Sequence, residues 1–247
     1  FKAAFNSVYM QSLKATLIII SVDGPLGKSL SNLVYEYKTY ENVKVVTSKH
    51  NRGAGHARAL AIVHSISPLL ALMDSDDISV NTRFEKQVEF IKSSQADVVG
   101  GMIAEFDNMP GDTNRKRVVP LKHDEIRKQL KWKQSMNNVT LMFKRSLYDR
   151  AGGYNSIPFF EDYDLIVRMM IAGGNFANQP DILVNVRTGS AFLGKRRGLH
   201  YIVQEQKHFL CMYRNNYITK FEYAMAATVR FLARILPTRL LGYIYKL

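Results

Sequence analysis

Two rhythms of apolar and polar positions run along the chain. Near its start, Phe5, Val8, Tyr9 and Ser12 stand at helical spacing within residues 1–12. Thr16 to Val22 is then an unbroken, mostly β-branched apolar run, which predicts a buried parallel strand. Asp23-Gly24-Pro25-Leu26-Gly27 ends that strand. Ser29 to Tyr40 reads as a helix, with Ser29 at the capping position. Val43 to Thr47 is a second short strand, followed by a loop from Lys49 to Gly55 and a helix to about Ser65. Leu69 to Met73 is a third buried strand, and it runs straight into Asp74-Ser75-Asp76-Asp77. An amphipathic helix over Thr82–Ser93, a strand over Asp97–Phe106 and a polar loop over Asp107–Asn114 complete the first half.

This alternation predicts an α/β fold with a doubly wound, mostly parallel sheet. Ligands of such sheets sit outside the carboxyl ends of the strands. Asp23, Asn51 and Asp74 to Asp77 each follow a strand, so they are expected to gather along one edge of the sheet. The second half is less regular. It holds a basic helix over Asp124–Lys133, a strand over Val139–Phe143 and a turn at Gly152-Gly153-Tyr154. A helix with an acidic start covers Glu161–Ile171, and a strand covers Ile182–Val186. From Tyr201 the pattern is helical until Pro237 interrupts it.

Composition narrows the class. Of 247 residues, 47% are hydrophobic and 22% charged, which excludes a disordered or collagen-like chain. The single cysteine, Cys211, excludes an internal disulfide framework and a cysteine-based zinc site. No signal peptide opens the sequence, and no apolar run has the roughly 18–20 residues of a membrane span. With 34 Lys and Arg against 21 Asp and Glu, the formal charge is 34 − 21 = +13. The last 47 residues hold seven basic and two acidic groups. Nucleic acid, anionic lipid headgroups and phosphorylated substrates all fit that balance.

Four constellations carry candidate chemistry. In Asp74-Ser75-Asp76-Asp77, three carboxylates within four residues repel one another, and hard Mg²⁺ or Mn²⁺ relieves such a cluster. An acidic turn before the next helix is the competing reading. In Glu161-Asp162-Tyr163-Asp164, the apolar Ile157-Pro158-Phe159-Phe160 lies just upstream. A carboxylate held against apolar groups gains basicity, as a general base needs; a helix start decorated with acids is the alternative. Asn51 to Arg58 is a glycine-containing loop that opens a helix, where backbone N–H groups can meet phosphate. Arg187-Thr188-Gly189 with Lys195-Arg196-Arg197-Gly198 is a basic segment suited to phosphate, or simply a solvated run. The histidines show no metal-ligand spacing and read as surface or loop residues. The aromatics are not interleaved with the basic residues as in nucleic-acid stacking grooves, so nucleic acid is the weakest partner class.

In this order the clusters resemble the family 2 glycosyltransferases with a GT-A (nucleotide-diphospho-sugar transferase) fold. The resemblance runs from Phe1 to about Gly198 and is nearest to the bacterial capsular and exopolysaccharide branch, amylovoran-type transferases included. FKAAFNSVYMQS, VDGP, NRGAGHARALAI, LLALMDSDDIS, RFEKQVEF, VVGG, NNVTLMFKRS, GGYN, FFEDYDLIVRMM and RTGSAFLGKRRG carry it together. The resemblance implies that Asp23 meets the uracil ring of a UDP-sugar and that Arg58 lies near the nucleotide pocket. It implies that Asp74 lies by the ribose, that Asp76 holds Mn²⁺ or Mg²⁺ against the diphosphate, and that Asp77 supports both. Asp162 matches the general base, with Glu161, Arg196 and Arg197 as further diphosphate or acceptor contacts. The implied reaction inverts the anomeric carbon and delivers the sugar to a glycan or lipid-linked glycan.

The chain departs from the family pattern in three places. The family's opening strand is expected before Phe1, Ala59 stands where the family commonly has Asn, and Asn138 stands in place of a His near the acceptor. The resemblance divides the chain into a GT-A domain, residues 1–200, and a basic amphipathic helical tail, residues 201–247. In the tail, Arg230, Arg234 and Arg239 alternate with Phe231, Leu232, Ile235, Leu236, Leu240 and Leu241. That pattern suits an anionic membrane surface, or a helix packed on the domain with extended arginines. The expected location is cytoplasmic, peripheral on the inner face of the inner membrane. A nucleotidyltransferase with a similar acidic metal site and a degenerate, non-catalytic homologue are the alternatives.

Overall fold

A computed structural model describes residues 1–155, 157–188 and 199–235. Helix α1 (Lys2–Tyr9) buries Ala4 and Phe5. Past the first strand β1 (Ile18–Asp23), helix α2 (Lys28–Tyr37) starts after Gly27 with no side-chain cap, so Ser29 lies inside it. Phe5 stacks on Tyr37 at 3.8 Å between ring centroids, which fixes α1 on α2. Strand β2 (Val43–Ser48) leads through a loop to α3 (Ala54–Val63), and β3 (Leu69–Ala71) precedes the acidic turn. A two-residue strand, β4 (Ile78–Ser79), follows that turn before α4 (Arg83–Ser94). Buried Gln11, just past α1, donates to the Val80 carbonyl at 2.7 Å and so anchors α1 beside β4.

Strand β5 (Val98–Phe106) is followed by the short β6 (Lys116–Arg117) and by α5 (His123–Leu130). The expected strand over Val139–Phe143 splits. Asn138–Thr140 forms a 3-10 turn, held by Thr140 Oγ1 on the Asn137 carbonyl at 2.7 Å, and β7 covers Met142–Lys144. Helix α6 (Arg145–Arg150) comes next, and α7 (Glu161–Ile171) has the bounds its pattern predicts. Strand β8 (Phe176–Arg187) is twelve residues long, because it ladders along β5 from Val98–Phe176 to Phe106–Arg187. A register shift after Gly101 absorbs Pro180 and Asp181. Helices α8 (Leu199–Arg214) and α9 (Lys220–Ile235) close the described chain.

The strands form two ladders. β1 and β2 pair in parallel by themselves, and the larger sheet has the order β3-β7-β5-β8-β4 with β6 alongside β5. The architecture is the expected α/β one, but the strand directions are corrected. Among the described residues two pairings are parallel, β1–β2 and β5–β8, and four are antiparallel. β7 enters backwards between β3 and β5. A buried apolar run shows that a strand is covered on both faces; it does not show which way the neighbouring strand runs.

The main core joins Leu70, Val98 and Phe143 of the sheet to Ile126 and Leu130 of α5 and to Leu165, Ile166 and Met169 of α7. Tyr201, Phe209 and Met212 of α8 and Ala226 of α9 belong to the same cluster. Residues 199–226 thus share one core with the domain.

Candidate active site

Three elements bring the carboxylates together. Arg58 lies on α3, Asp74 follows β3, and Asp162 is the second residue of α7. The Arg58 guanidinium donates to Asp74 Oδ1 at 2.6 Å and to Asp162 Oδ1 at 2.7 Å. One cation therefore bridges residues separated by 88 positions, and the side chain of Asp162 is 25% exposed. Burial raises the Asp162 pKa to about 6; Arg58 pulls it down, and Glu161 and Asp74 push it up. Of the apolar run upstream, Phe160 is buried and Phe159 is exposed. Burial disfavours the charge on Arg58, yet Asp162 and Asp74 beside it hold its pKa above the ordinary value.

The loop before α3 meets α7 at close range. Glu161 Cβ would stand 2.9 Å from a Cβ placed on Gly55, so only glycine lets the two helix starts approach. Glu161 Oε2 is buried with no hydrogen-bond partner among the described residues. Asp23 has a local task. Its carboxylate accepts the backbone N–H groups of Arg52, at 3.0 Å, and of Gly53, at 2.7 Å. Asp23 thereby fastens the carboxyl end of β1 to this loop.

The acidic turn is divided in two by burial. Asp76 is exposed, whereas Asp77 is 3% exposed and accepts the Arg187 backbone N–H at 2.9 Å. Burial pushes the Asp77 pKa up to about 7, the Arg187 N–H opposes the shift, and Asp74 and Asp76 add to it. Three carboxylates stand within this turn, and among the described residues only Asp74 has an ion-pair partner, Arg58; a hard divalent cation is the chemistry that suits the rest. Among the described residues no three His, Cys, Asp or Glu side chains are grouped to hold an ion unaided. The donor set fits a cation held by one or two carboxylates with phosphate oxygens as the remaining ligands, the arrangement Mg²⁺ commonly adopts.

Two supporting residues escaped the sequence patterns. Arg83 is fully buried, and its Nη2 donates to the carbonyls of Leu72 at 2.9 Å and Leu141 at 3.3 Å. It pins the end of β3 two residues before Asp74, and burial lowers its pKa to about 9 against the pull of Asp74. The Tyr154 hydroxyl is buried without a partner among the described residues. Burial first, and then the Asp162 charge, raise the Tyr154 pKa. The GGYN turn carries its signal, because Gly152 and Gly153 both have positive φ and place Tyr154 beside Gly55. His208 is corrected from surface to core: it is fully buried against Phe160 and Tyr163. Arg196 and Arg197 lie outside the described residues. Two clefts lie elsewhere, one of about 480 Å³ beside His123, Arg127 and Asn175 and one of about 540 Å³ beside Pro68, Ile91 and Lys144.

The sequence and the fold are similar to those of a known group of proteins. The sequence profile of glycosyl transferase family 2 matches residues 1–152. An uncharacterized glycosyltransferase of Haemophilus influenzae is 33% identical over 246 residues, 99% of this chain and 91% of its own length. The amylovoran biosynthesis glycosyltransferase AmsE of Erwinia amylovora is 30% identical over 98% of this chain and 90% of its own. The UDP-Gal:alpha-D-GlcNAc-diphosphoundecaprenol beta-1,3-galactosyltransferase of Escherichia coli is 30% identical over 98% of this chain and 88% of its own. In fold, the chain is similar to S. aureus TarS 1–349 in complex with UDP-GlcNAc, with a TM-score of 0.70 at 13% identity over 94% of this chain and 68% of that one. It is also similar to the mannosyltransferase PcManGT of Pyrobaculum calidifontis in complex with GDP-Man and Mn²⁺, with a TM-score of 0.63 at 14% identity over 99% of this chain and 75% of that one. The fold is GT-A-like, the chain is a glycosyltransferase, and it belongs to glycosyl transferase family 2.

Proposed function

We propose that this protein is an inverting, metal-dependent transferase that moves one sugar from a UDP-sugar to a lipid-linked glycan during surface-polysaccharide assembly. The observation that carries the reading is Asp162. It is a partly exposed carboxylate of raised pKa, tied through Arg58 to the acidic turn at Asp74. A base with a pKa of about 6 is ionised at neutral pH yet basic enough to take a proton from a hydroxyl as that oxygen turns nucleophilic.

In this mechanism Asp162 accepts the acceptor's hydroxyl proton while the oxygen attacks the anomeric carbon. The bond from that carbon to the diphosphate oxygen breaks on the opposite side, and the configuration inverts. Arg58 keeps Asp162 oriented, and Glu161 faces the acceptor. Asp76 would hold Mn²⁺ or Mg²⁺, whose charge offsets that of the departing diphosphate. Asp74 would lie by the ribose and Asp23 by the base, with Arg196 and Arg197 as further contacts to the diphosphate or the acceptor. The E. coli relative's name, with its UDP-Gal donor and diphosphoundecaprenol acceptor, supports both substrate classes. TarS complexes with UDP-GlcNAc and UDP support the nucleotide, and the Mn²⁺ in PcManGT supports the metal. Such an acceptor supports a cytoplasmic protein that works at the inner face of the inner membrane.

Calorimetric titration with UDP, with and without Mn²⁺, tests this site. Binding is expected to need the metal and to vanish in Asp76→Ala. A folded protein that binds no UDP contradicts the reading.

A further inference from the structure

Helix α9 is amphipathic in the reverse sense. It packs antiparallel to α8: Tyr223 stacks on Tyr213 at 5.5 Å, and Gln206 Nε2 donates to the Ala227 carbonyl at 3.1 Å. Two of its charged groups, Glu222 and Arg230, turn inward. Arg230 lies 3.8 Å from Glu205 and donates to the Trp132 carbonyl, and Glu222 pairs with Lys131 at 2.7 Å. Its outward face is apolar. Phe221, Met225, Val229 and Leu232 follow one another at steps of four, four and three, with Phe231 beside them. All five are 40 to 75% exposed, and the exposed positions between them are Ala224 and Thr228. A surface helix normally shows its charges to water. An uncharged outward stripe marks a contact surface.

We propose that this stripe seats the protein on an anionic lipid bilayer. Three observations select that occupant. The stripe is about 17 Å long and one helix face wide, well short of the roughly 800 Å² per partner of a stable protein interface. The exposed charge of α8 and of the described part of α9 is cationic: Lys207, Arg214 and Lys220 are exposed, while Glu205 and Glu222, the acids of residues 201–247, are paired inward. Residues 236–247, outside the described structure, add Arg239 and Lys246 and no acid. An apolar stripe on helices whose exposed charge is cationic is the surface that anionic headgroups attract.

Placement agrees. The antiparallel pairing sets Phe231 and Leu232 level with the start of α8, where Tyr201 packs on Phe160 at 5.2 Å. Phe160 directly precedes Glu161 and Asp162. A bilayer lying on α9 therefore reaches the end of the molecule that carries the candidate base. The proposal rests on the lipid-linked acceptor reading and corrects one detail of the sequence pattern: Arg230 faces the core, so the apolar residues make the membrane contact.

Flotation with vesicles tests it, using phosphatidylcholine alone and phosphatidylcholine mixed with phosphatidylglycerol. The full chain should float with the anionic vesicles. Met225→Glu/Val229→Glu should weaken that association about a hundredfold, from the loss of two buried apolar side chains, and Met225→Ser/Val229→Ser should fall between. UDP affinity, measured in parallel, should be unchanged in both variants, which also shows that they fold. Failure to float with UDP binding intact overturns the membrane seat and leaves the transferase reading standing; floating without UDP binding does the reverse. Equal flotation of wild type and variants overturns the stripe. So does a concentration-dependent dimer that the same substitutions dissolve.

Discussion

Arg58 touches both Asp74 and Asp162, so its removal changes each of them. Its positive charge lowers the pKa of Asp162, which burial, Glu161 and Asp74 raise to about 6. A base acts deprotonated, so the transfer rate should fall as pH drops through about 6. In Arg58→Met the acidic limb should move to higher pH, because the lowering influence is gone. In Asp162→Asn, transfer should fall by about 10²–10⁴-fold while UDP affinity holds. A pH–rate profile of the three proteins checks all of this, and a limb that stays in place in Arg58→Met would break the link between the two residues. The acidic start of α7 was readable in the sequence, because Glu161, Asp162 and Asp164 stand in its first turn. The tie of Asp162 to Asp74 was not readable, because Arg58 and Asp162 stand 104 positions apart. Arg83 was hidden for a related reason: an arginine opening an amphipathic helix reads as solvated, and only β3 and β7 packing around it bury it.

Helix α7 depends on α8 for the burial of its first turn. His208 of α8 lies 4.2 Å from the Tyr163 ring and 5.3 Å from that of Phe160, with neither ring nitrogen hydrogen-bonded among the described residues. Burial, aided by the Arg230 charge, lowers its pKa to about 3, against about 6.5 in an unfolded chain. Between those values the unfolded chain binds a proton that the folded protein does not. Stability from this group is therefore full above pH about 6.5 and declines as pH falls toward 3. His208→Phe should flatten that decline, which urea unfolding at neutral and acidic pH would show; identical slopes would refute the assignment. Element identity was legible wherever periodicity ran long, and α7 matches its predicted bounds, Glu161–Ile171. Short elements were not, because β4 and β6 have two residues each and no period to read. The inward turn of Arg230 was equally hidden, since α9 carries apolar residues on both faces.

At the scale of the whole molecule, α8 and α9 complete the core that α5 and α7 begin. A chain ended after residue 200 would expose Phe160 and Tyr163 to water. It should lose cooperative thermal unfolding, and calorimetry of the shortened chain would show this; a sharp, unshifted transition would mean that the helices are dispensable. The net charge of +13 announced an anionic partner without choosing one. The α/β class was legible because alternating strands and helices persist through the first half, whereas the two separate ladders depend on contacts no local pattern records.

The most direct test is glycosyl transfer from α-linked UDP-sugars to GlcNAc-diphosphoundecaprenol, with the anomeric coupling of the product read by NMR. The expected result is a β-linked product formed by wild type and not by Asp162→Asn. A product of retained α configuration, or an Asp162→Asn protein as active as wild type, would contradict it.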